Sequence, residues 1–272
     1  MEKVRLDFDA ADRSRARAKE PNVESRERSM DAIVRGFQCD GHVRVHAFFD
    51  PAEIAKLDDA LMRAKMSRSR LFGDTDESLT RDMFLSQVSS EVSAFVTDPR
   101  LGVLAAELLG CRRVRFMQDV MLEKNGAQGP TPWHRDSDFW SFSGVGALTM
   151  WIPLQETSLA LSPLRYATGS HLVPDPRPLR AIEKACIPLR FRVASAALAL
   201  GDIAVHHFKT LHGAARNEEV RRPRRSFAVH LIDAEALVRA SRYPGQVEHA
   251  VRCGWDRLQD GDRFTDEVAP LV

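Results

Sequence analysis

The chain has 272 residues, of which 44% are hydrophobic and 28% are charged, and its formal net charge is +1. This composition is typical of a soluble globular protein, and the near-zero charge gives no basic field for nucleic acid or an anionic membrane. No apolar run approaches the roughly 18 residues of a membrane span, and no apolar signal region follows the first residues, so we expect a cytoplasmic protein. The four cysteines are widely spaced, which indicates free thiols rather than a zinc knuckle or a disulfide framework.

The N-terminal part predicts a mobile arm, followed by helices around one short strand. Residues 1–24 are charged and poor in apolar side chains, which is typical of a disordered arm. Apolar residues at helical spacing predict a helix over 25–38, and alternation predicts a strand over 42–48. Two further helices are expected to start at Pro51 and Pro99, each preceded by an aspartate that can cap the helix.

From residue 112 onward the pattern changes to short strands with a period of two residues. Alternate positions over 114–122 are expected to share one face, on which Gln118 is the polar exception. That glutamine is either a hydrogen-bonded core residue or a group that faces a ligand. A second buried strand is predicted over 146–154.

A His-x-Asp pair lies in the segment Thr-Pro-Trp-His-Arg-Asp at 131–136. If this segment is extended, His134 and Asp136 point to the same face and can bind one metal ion together. Far along the chain, His212 precedes a glycine at the end of an apolar, strand-like run. Two histidines and one carboxylate form the facial triad of non-heme Fe(II) oxygenases, which leaves coordination positions open.

Two arginines, Arg224 and Arg225, begin the next predicted strand. An arginine there can hold a carboxylate by two parallel hydrogen bonds. Alternation places the two side chains on opposite faces, and we prefer Arg224 by spacing and phase. His230 is in phase with Arg224 if the strand has no bulge, and it is then either an interior residue of the site or a core histidine.

Taken together, these motifs resemble the phytanoyl-CoA dioxygenase-like family of Fe(II)- and 2-oxoglutarate-dependent oxygenases. The resemblance extends over about residues 35–232, and its strength lies in the ordered set rather than in any single motif. The matching pieces, in the family's order, are Trp133-His134-Arg135-Asp136, Thr168-Gly169-Ser170-His171, Gly201-Asp202, Leu211-His212-Gly213 and the basic pair at 224–225.

The resemblance implies an α+β fold with a mainly β core, a double-stranded β-helix or jelly roll with flanking helices. Its core is expected over about 112–232, within a single oxygenase domain over 25–272. From the strand pattern alone, only a β-rich α+β domain could be predicted.

The resemblance also implies Fe(II) as the metal, 2-oxoglutarate as cosubstrate and dioxygen as oxidant. The metal ligands it implies are His134, Asp136 and His212. The residues expected at the cosubstrate are Arg224, Gln118 and Trp151, although core packing alone could explain the tryptophan. Lys124 matches a lysine common in the family, although a surface position is the more frequent explanation for such a residue.

Three histidines compete for the distal metal position. His212 is preferred because a glycine follows it and because the family places its distal ligand there. His206 and His207 are adjacent and face opposite ways on a strand, so His207 is expected to pack or hydrogen-bond behind the site. Two departures from the family's pattern are Ser162, where a glycine is usual, and Ala214, where Ser or Thr is usual.

The function implied is hydroxylation or desaturation of a small organic molecule, for example a natural-product intermediate, with release of succinate and carbon dioxide. Asp136 favours this over halogenation, since related halogenases replace that carboxylate by a small residue. Two alternatives are a metal-dependent hydrolase that uses the same three residues and a non-catalytic jelly-roll binding protein. The substrate would be selected by three poorly patterned segments, 67–90, 137–144 and 174–188, and the oligomeric state is left open.

Overall fold

The computed structural model describes residues 23–72, 79–125, 129–144, 146–173, 184, 186–219 and 221–272. Nearly all of the arm expected over 1–24, and most of the excursion expected over 174–188, lie outside these ranges. Within the described part, no helix is both long enough and apolar enough to span a membrane.

In the described residues, most of the helices precede most of the strands. The helices are α1 (Val23–Asp40), α2 (Pro51–Phe72), α3 (Ser90–Val96), α4 (Pro99–Leu109), α5 (Ile187–Arg190) and α6 (Pro244–Arg252). Short 3-10 turns lie at Leu85–Gln87, Asp136–Asp138, Ser170–Leu172 and Trp255–Arg257. Helix α2 starts where the sequence predicts, because the Asp50 carboxylate accepts from Ala52 N at 2.7 Å and the Glu53 carboxylate accepts from Asp50 N at 2.8 Å.

Two antiparallel sheets form the centre of the described structure. The larger has the order β1 (His42–Val45), β9 (Ile203–His207), β6 (Ala147–Pro153), β11 (Arg224–Asp233), β3 (Val114–Lys124) and β2 (Leu79–Met83). The smaller has the order β4 (Thr131–His134), β10 (His212–Ala214), β7 (Leu164–Ala167) and β8 (Val193–Ser195), and a separate pair joins β5 (Phe142–Ser143) to β12 (Leu237–Val238). This confirms the mainly β, jelly-roll fold with flanking helices.

Strand β6 shows how the larger sheet separates an outer core from an interior. Leu148, Met150 and Ile152 are fully buried on the outer face, in the same apolar cluster as the buried residues of α2, α3 and α4. Thr149 and Trp151 lie on the opposite face, where Trp151 packs with the residues that line the space between the two sheets. The outer face therefore provides the main hydrophobic core, and the inner face is free to carry a site.

Strand β3 contains a bulge, which changes the face on which some of its residues lie. Gln118 pairs with His230, but the next residue of β11 pairs with Phe116, which leaves Met117 as an extra residue. Phe116 consequently packs in the outer core, whereas Gln118 and Val120 line the interior cavity. The prediction that alternate positions over 114–122 share one face is wrong on the N-terminal side of the bulge.

Both described parts of the segment 67–90, which was expected to be a loop region, contain regular elements, while residues 73–78 lie outside the described residues. Helix α2 continues to Phe72, and β2 adds an edge strand to β3. The 3-10 turn that follows is held by the buried Asp119 carboxylate, which accepts from Leu85 N at 2.8 Å and from Ser86 N at 3.2 Å. Strand β2 forms by pairing with β3, and the strand propensity of its own residues does not predict such a tertiary pairing.

Candidate active site

The two histidines of the triad face each other across a strand pair. In the β4–β10 pairing, His134 and His212 are direct cross-strand partners, and their ring centroids are 4.2 Å apart. Gly213 makes this close approach possible, since a Cβ at that position would lie 2.7 Å from the Thr131 carbonyl oxygen. The register of two short strands thus places two imidazoles side by side, although 78 positions separate them in the sequence.

Asp136 completes the group from the turn that follows β4. The intervening residue, Arg135, is extended with φ −117° and ψ 145°, so His134 and Asp136 share a face as expected. Ligand atoms of His134, Asp136 and His212 all lie within 4.8 Å of one another. The structure therefore brings together the three residues predicted as metal ligands.

Both imidazoles are oriented by a backbone carbonyl, which fixes the nitrogen that remains free. His134 Nδ1 donates to the Pro132 carbonyl at 2.8 Å, and His212 Nδ1 donates to the Thr210 carbonyl at 3.0 Å. In each ring Nε2 is then available as a metal ligand. Burial, and then the charge of the neighbouring imidazole, lowers the pKa of each ring to about 4, so both are neutral at physiological pH.

The carboxylate of Asp136 has two partners that the sequence analysis did not assign. Its Oδ2 accepts from Thr149 Oγ1 at 2.6 Å and lies 3.2 Å from His206 Nε2. Burial raises the pKa of Asp136, but the neighbouring His212 and His206 outweigh this and hold it well below its usual range. Asp136 is therefore an anion whose second oxygen, Oδ1, is directed to His212 at 3.7 Å.

His206 and His207 face opposite ways on β9, as the strand period requires. His207 lies outside the site, with its ring centroid 5.3 Å from that of His171 and 6.2 Å from that of Phe37. His206, in contrast, points into the interior and lines the cavity. His206 is therefore the histidine that contacts the metal site from behind. His207 packs against other aromatic rings, as expected, but away from the site.

A cavity of about 480 Å³ opens beside the triad, between the two sheets. All six residues predicted for the site line it, namely Gln118, His134, Asp136, Trp151, His212 and Arg224. Other parts of its wall come from β2, from the turn after β4 and from α6, through Arg81, Met83, Phe139, Trp140, His249 and Arg252. The cavity is thus shared by the metal site, Arg224 and the C-terminal helix.

Arg224 is a buried cation at the inner end of this cavity. It is 2% exposed, its guanidinium lies 5.3 Å from the centroid of the Trp151 ring, and Nη1 donates to the Ser162 carbonyl at 2.9 Å. Among the described residues no carboxylate pairs with it, and Nε has no hydrogen-bond acceptor. Burial lowers the pKa of Arg224 only to about 10, so the guanidinium stays charged. A bound carboxylate would compensate for the cost of burying this charge. Its neighbour Arg225 points the other way and pairs with Asp58 at 2.8 Å.

The departure at Ser162 is accommodated by its side chain. Ser162 has φ +62°, a conformation that glycine adopts without strain and that other residues rarely adopt. Its hydroxyl donates to the Ala215 carbonyl at 2.6 Å and lies 3.2 Å from Lys124 Nζ. Lys124 is only 1% exposed, so the surface position considered for it is wrong, and burial, with Arg224 nearby, lowers its pKa to about 8.

A second polar part of the cavity lining lies six residues further along the same two strands, β3 and β11. Gln118 Oε1 accepts from His249 Nε2 at 2.9 Å, and His230 Nδ1 donates to the Gln118 carbonyl at 3.3 Å. His230 also lies over Trp140 at an interplanar angle of 87°, with the ring centroids 5.2 Å apart. Gln118 is therefore both hydrogen-bonded and directed to the cavity, which combines the two alternatives left open for it.

The donor set fits the metal and the cosubstrate that the resemblance implies. Two neutral imidazoles and one carboxylate on one side of a cavity match the ligand set of non-heme Fe(II) sites, with the cavity side left for other ligands. Arg224 Nε and Trp151 Nε1 are buried donors without a partner among the described residues, and both residues line the cavity, so these donors are available to a carboxylate ligand.

A jelly roll with a two-histidine, one-carboxylate group beside an interior cavity defines the class of facial-triad metalloproteins. A model of the phytanoyl-CoA dioxygenase (PhyH) family matches residues 37–226 of the sequence. The chain therefore belongs to the phytanoyl-CoA dioxygenase family. No curated protein matches it at a significant level.

Several solved structures are similar to this one. The non-heme α-ketoglutarate-dependent epimerase SnoN of nogalamycin biosynthesis is 25% identical, with a TM-score of 0.72 over 90% of this chain and 99% of its own. SnoN has also been solved with Fe3+, α-ketoglutarate and nogalamycin RO. The α-ketoglutarate-dependent carbocyclase SnoK of the same biosynthesis is 23% identical, with a TM-score of 0.74 over 89% of this chain and 95% of its own. EctD from S. alaskensis, solved with 2-oxoglutarate and 5-hydroxyectoine, is 21% identical, with a TM-score of 0.66 over 75% and 76% of the two chains. The likeness to SnoK and EctD shows the shared fold.

Proposed function

We propose that the protein is a Fe(II)- and 2-oxoglutarate-dependent dioxygenase that hydroxylates or desaturates a small organic molecule, with release of succinate and carbon dioxide. The observation that carries this proposal is the convergence of the triad and the buried Arg224 on one cavity. A metal hydrolase needs the triad but has no use for a buried guanidinium beside it. A non-catalytic binding protein needs neither the triad nor the buried guanidinium.

The first task of the chain is to hold the metal ion. Nε2 of His134, Nε2 of His212 and Oδ1 of Asp136 are the ligand atoms, each oriented by a hydrogen bond on its far side. A bound Fe(II) ion, with 2-oxoglutarate and dioxygen, supplies the oxidising chemistry. Because the histidines are neutral and Asp136 is ionised in the folded protein, the site binds a divalent cation without first losing protons.

The second task is to bind the cosubstrate in one orientation. Arg224 holds the distal carboxylate of 2-oxoglutarate, using Nε and the guanidinium edge that Ser162 does not occupy. The ring of Trp151 lies beside the guanidinium and forms part of the same wall. Lys124 adds positive charge behind Arg224 and fixes the loop around Ser162, through its bond to the Ala215 carbonyl at 2.5 Å.

The third task is to exclude water and position the substrate. Val120, Leu122, Leu164 and Ala228 give the inner cavity apolar walls, which limits water around the reacting atoms. The substrate enters from the side of Arg81, Phe139 and α6. The position of the substrate determines which of its hydrogen atoms lies next to the metal site, and therefore which product forms. We propose that the product is hydroxylated or desaturated.

The experiment is succinate formation from 2-oxoglutarate by the purified protein. We expect slow, substrate-independent turnover that requires Fe(II), 2-oxoglutarate and dioxygen together, and that falls by about tenfold or more in Asp136→Ala. Arg225→Gln is the matched control and should leave it unchanged, because Arg225 pairs with Asp58 outside the cavity. No succinate from folded, iron-loaded protein would refute the proposal. Once a substrate is found by its stimulation of succinate release, the mass of its product distinguishes the outcomes: hydroxylation adds one oxygen atom, desaturation or ring closure removes two hydrogens, and epimerisation leaves the mass unchanged.

A further inference from the structure

Two arginines from distant parts of the sequence meet at the open end of the cavity. Arg81 and Met83 are two apart on the edge strand β2, where they pair with Leu122 and Val120 of β3. All four of these residues line the cavity. Arg252 approaches from α6, and its Nη1 lies 3.6 Å from Met83 Sδ, so α6 packs against the same face of β2.

Arg81 is the less compensated of the two charges. Among the described residues its guanidinium makes no hydrogen bond or ion pair, whereas Arg252 pairs with Glu248 at 2.5 Å. Arg81 is exposed to solvent at the opening, and partial desolvation, then the positive charge of Arg252, lowers the pKa of its guanidinium. With Glu248 also on the cavity wall, the three side chains together leave one net positive charge at the opening.

Arg81 lines the same cavity as the three residues of the triad. The same cavity has an apolar lining at Met83, Leu122 and the half-exposed Phe139. Phe139 lies edge-on to His134, with ring centroids 6.2 Å apart. A ligand that fills the cavity from Arg81 to the triad therefore meets a cation and apolar side chains.

We propose that the substrate is a small organic acid with an apolar body, whose carboxylate or phosphate group is bound by Arg81 with support from Arg252. A guanidinium binds either group by two parallel hydrogen bonds, and an arginine left without a partner in a partly desolvated position favours such a ligand. This assignment rests on the proposed function, since it takes the triad as the reacting end. Arg224, which is buried whereas Arg81 is exposed, is left to the cosubstrate.

The test uses hydrocinnamate, its neutral amide and phenyl phosphate as probes, titrated calorimetrically without oxygen. The protein is loaded with Fe(II) and saturating 2-oxoglutarate, so that Arg224 is occupied. We expect hydrocinnamate to bind about tenfold more tightly than the amide, the effect of one charge-assisted contact. Arg81→Gln should abolish this preference and Arg252→Gln should reduce it. Arg63→Gln, an exposed arginine of α2 that pairs with Glu91, should leave it unchanged.

The phosphate probe separates the two anion classes, since tighter binding of phenyl phosphate than of hydrocinnamate would point to a phosphate ester as substrate. Equal or undetectable binding of the acid and the amide would overturn the proposal, as would a preference that survives Arg81→Gln. The same titrations on metal-free protein keep this result separate from the proposed function. A protein that fails to bind Fe(II) with 2-oxoglutarate would refute the oxygenase, while the dependence on Arg81 stays measurable.

Discussion

His206 Nε2 lies 3.2 Å from Asp136 Oδ2, and Thr149 Oγ1 lies 2.6 Å from the same oxygen. The two partners are themselves cross-strand neighbours in the β6–β9 pairing. Together they occupy one oxygen of the carboxylate and leave Oδ1 for the metal. Two residues of the larger sheet thus orient Asp136, which follows a strand of the smaller sheet.

Replacing this support should weaken metal binding. We expect His206→Leu to raise the dissociation constant for Fe(II) by about 10–100-fold, the usual cost of losing a partner of a metal ligand. Thr149→Val should act in the same direction. The measurement is an anaerobic Fe(II) titration with His207→Gln as control, because His207 lies on the outer face of the same strand. Unchanged affinity in His206→Leu would contradict the positioning role.

Gly213 should be sensitive to the smallest enlargement. A Cβ there would meet the Thr131 carbonyl at 2.7 Å and the Pro132 carbonyl at 3.3 Å, so Gly213→Ala must separate β10 from β4. We expect Fe(II) affinity to fall by about tenfold or more, because His212 and His134 move apart. Gly36→Ala is the matched control, since nothing lies within 4 Å of a Cβ in that helix, and it should stabilise the protein by up to about 1 kcal/mol. Equal effects of the two changes would rule out the steric account.

Ser162 allows backbone strain and hydrogen bonding to be separated. Ser162→Ala keeps the positive φ and loses the bond to the Ala215 carbonyl, whereas Ser162→Gly loses the bond but relieves the strain. We expect the glycine variant to be more stable than the alanine variant by about 1 kcal/mol, measured by urea denaturation. An alanine variant as stable as the glycine variant would show that the left-handed conformation is not retained.

The stability of the metal-free protein should decrease as the pH falls below 6.5. Burial, then the charges of His171 and Lys209, lowers the pKa of His207 from 6.5 to about 3. Between these two values the unfolded chain binds a proton that the folded chain does not, so stability falls as the pH falls. From about pH 7 to about pH 5, His207 alone should account for up to about 2 kcal/mol. His207→Gln should lose correspondingly less stability in chemical denaturation, and equal losses in the two proteins would contradict the shift.

The sequence was most informative where the chemistry depends on particular residue types. His134, Asp136 and His212 could be proposed from their spacing and order, and the structure brings all three together. Thr149 had a readable signal, since it is in phase with Trp151 on an otherwise apolar strand. His206 could have been found from the same alternation, which places it opposite His207.

Features that depend on tertiary pairing could not be read in this way. The bulge at Met117 changes which residues of β3 face inward, and an alternating pattern does not reveal it. Strand β2 forms because β3 offers an edge, so Arg81 reaches the cavity from a segment with no strand pattern. His249 arrives on a helix folded back from the C-terminal region, and no local feature of the sequence links it to Gln118.

The central claim is that Arg224 and the triad bind one cosubstrate together, and anaerobic titration of Fe(II) with 2-oxoglutarate tests it most directly. We expect the weak visible charge-transfer band of an iron-chelated keto acid in wild type. It should weaken strongly in His212→Ala, require more 2-oxoglutarate in Arg224→Ala, and remain unchanged in Arg225→Gln. A folded, iron-loaded protein without the band, or a band indifferent to Arg224, would contradict the account.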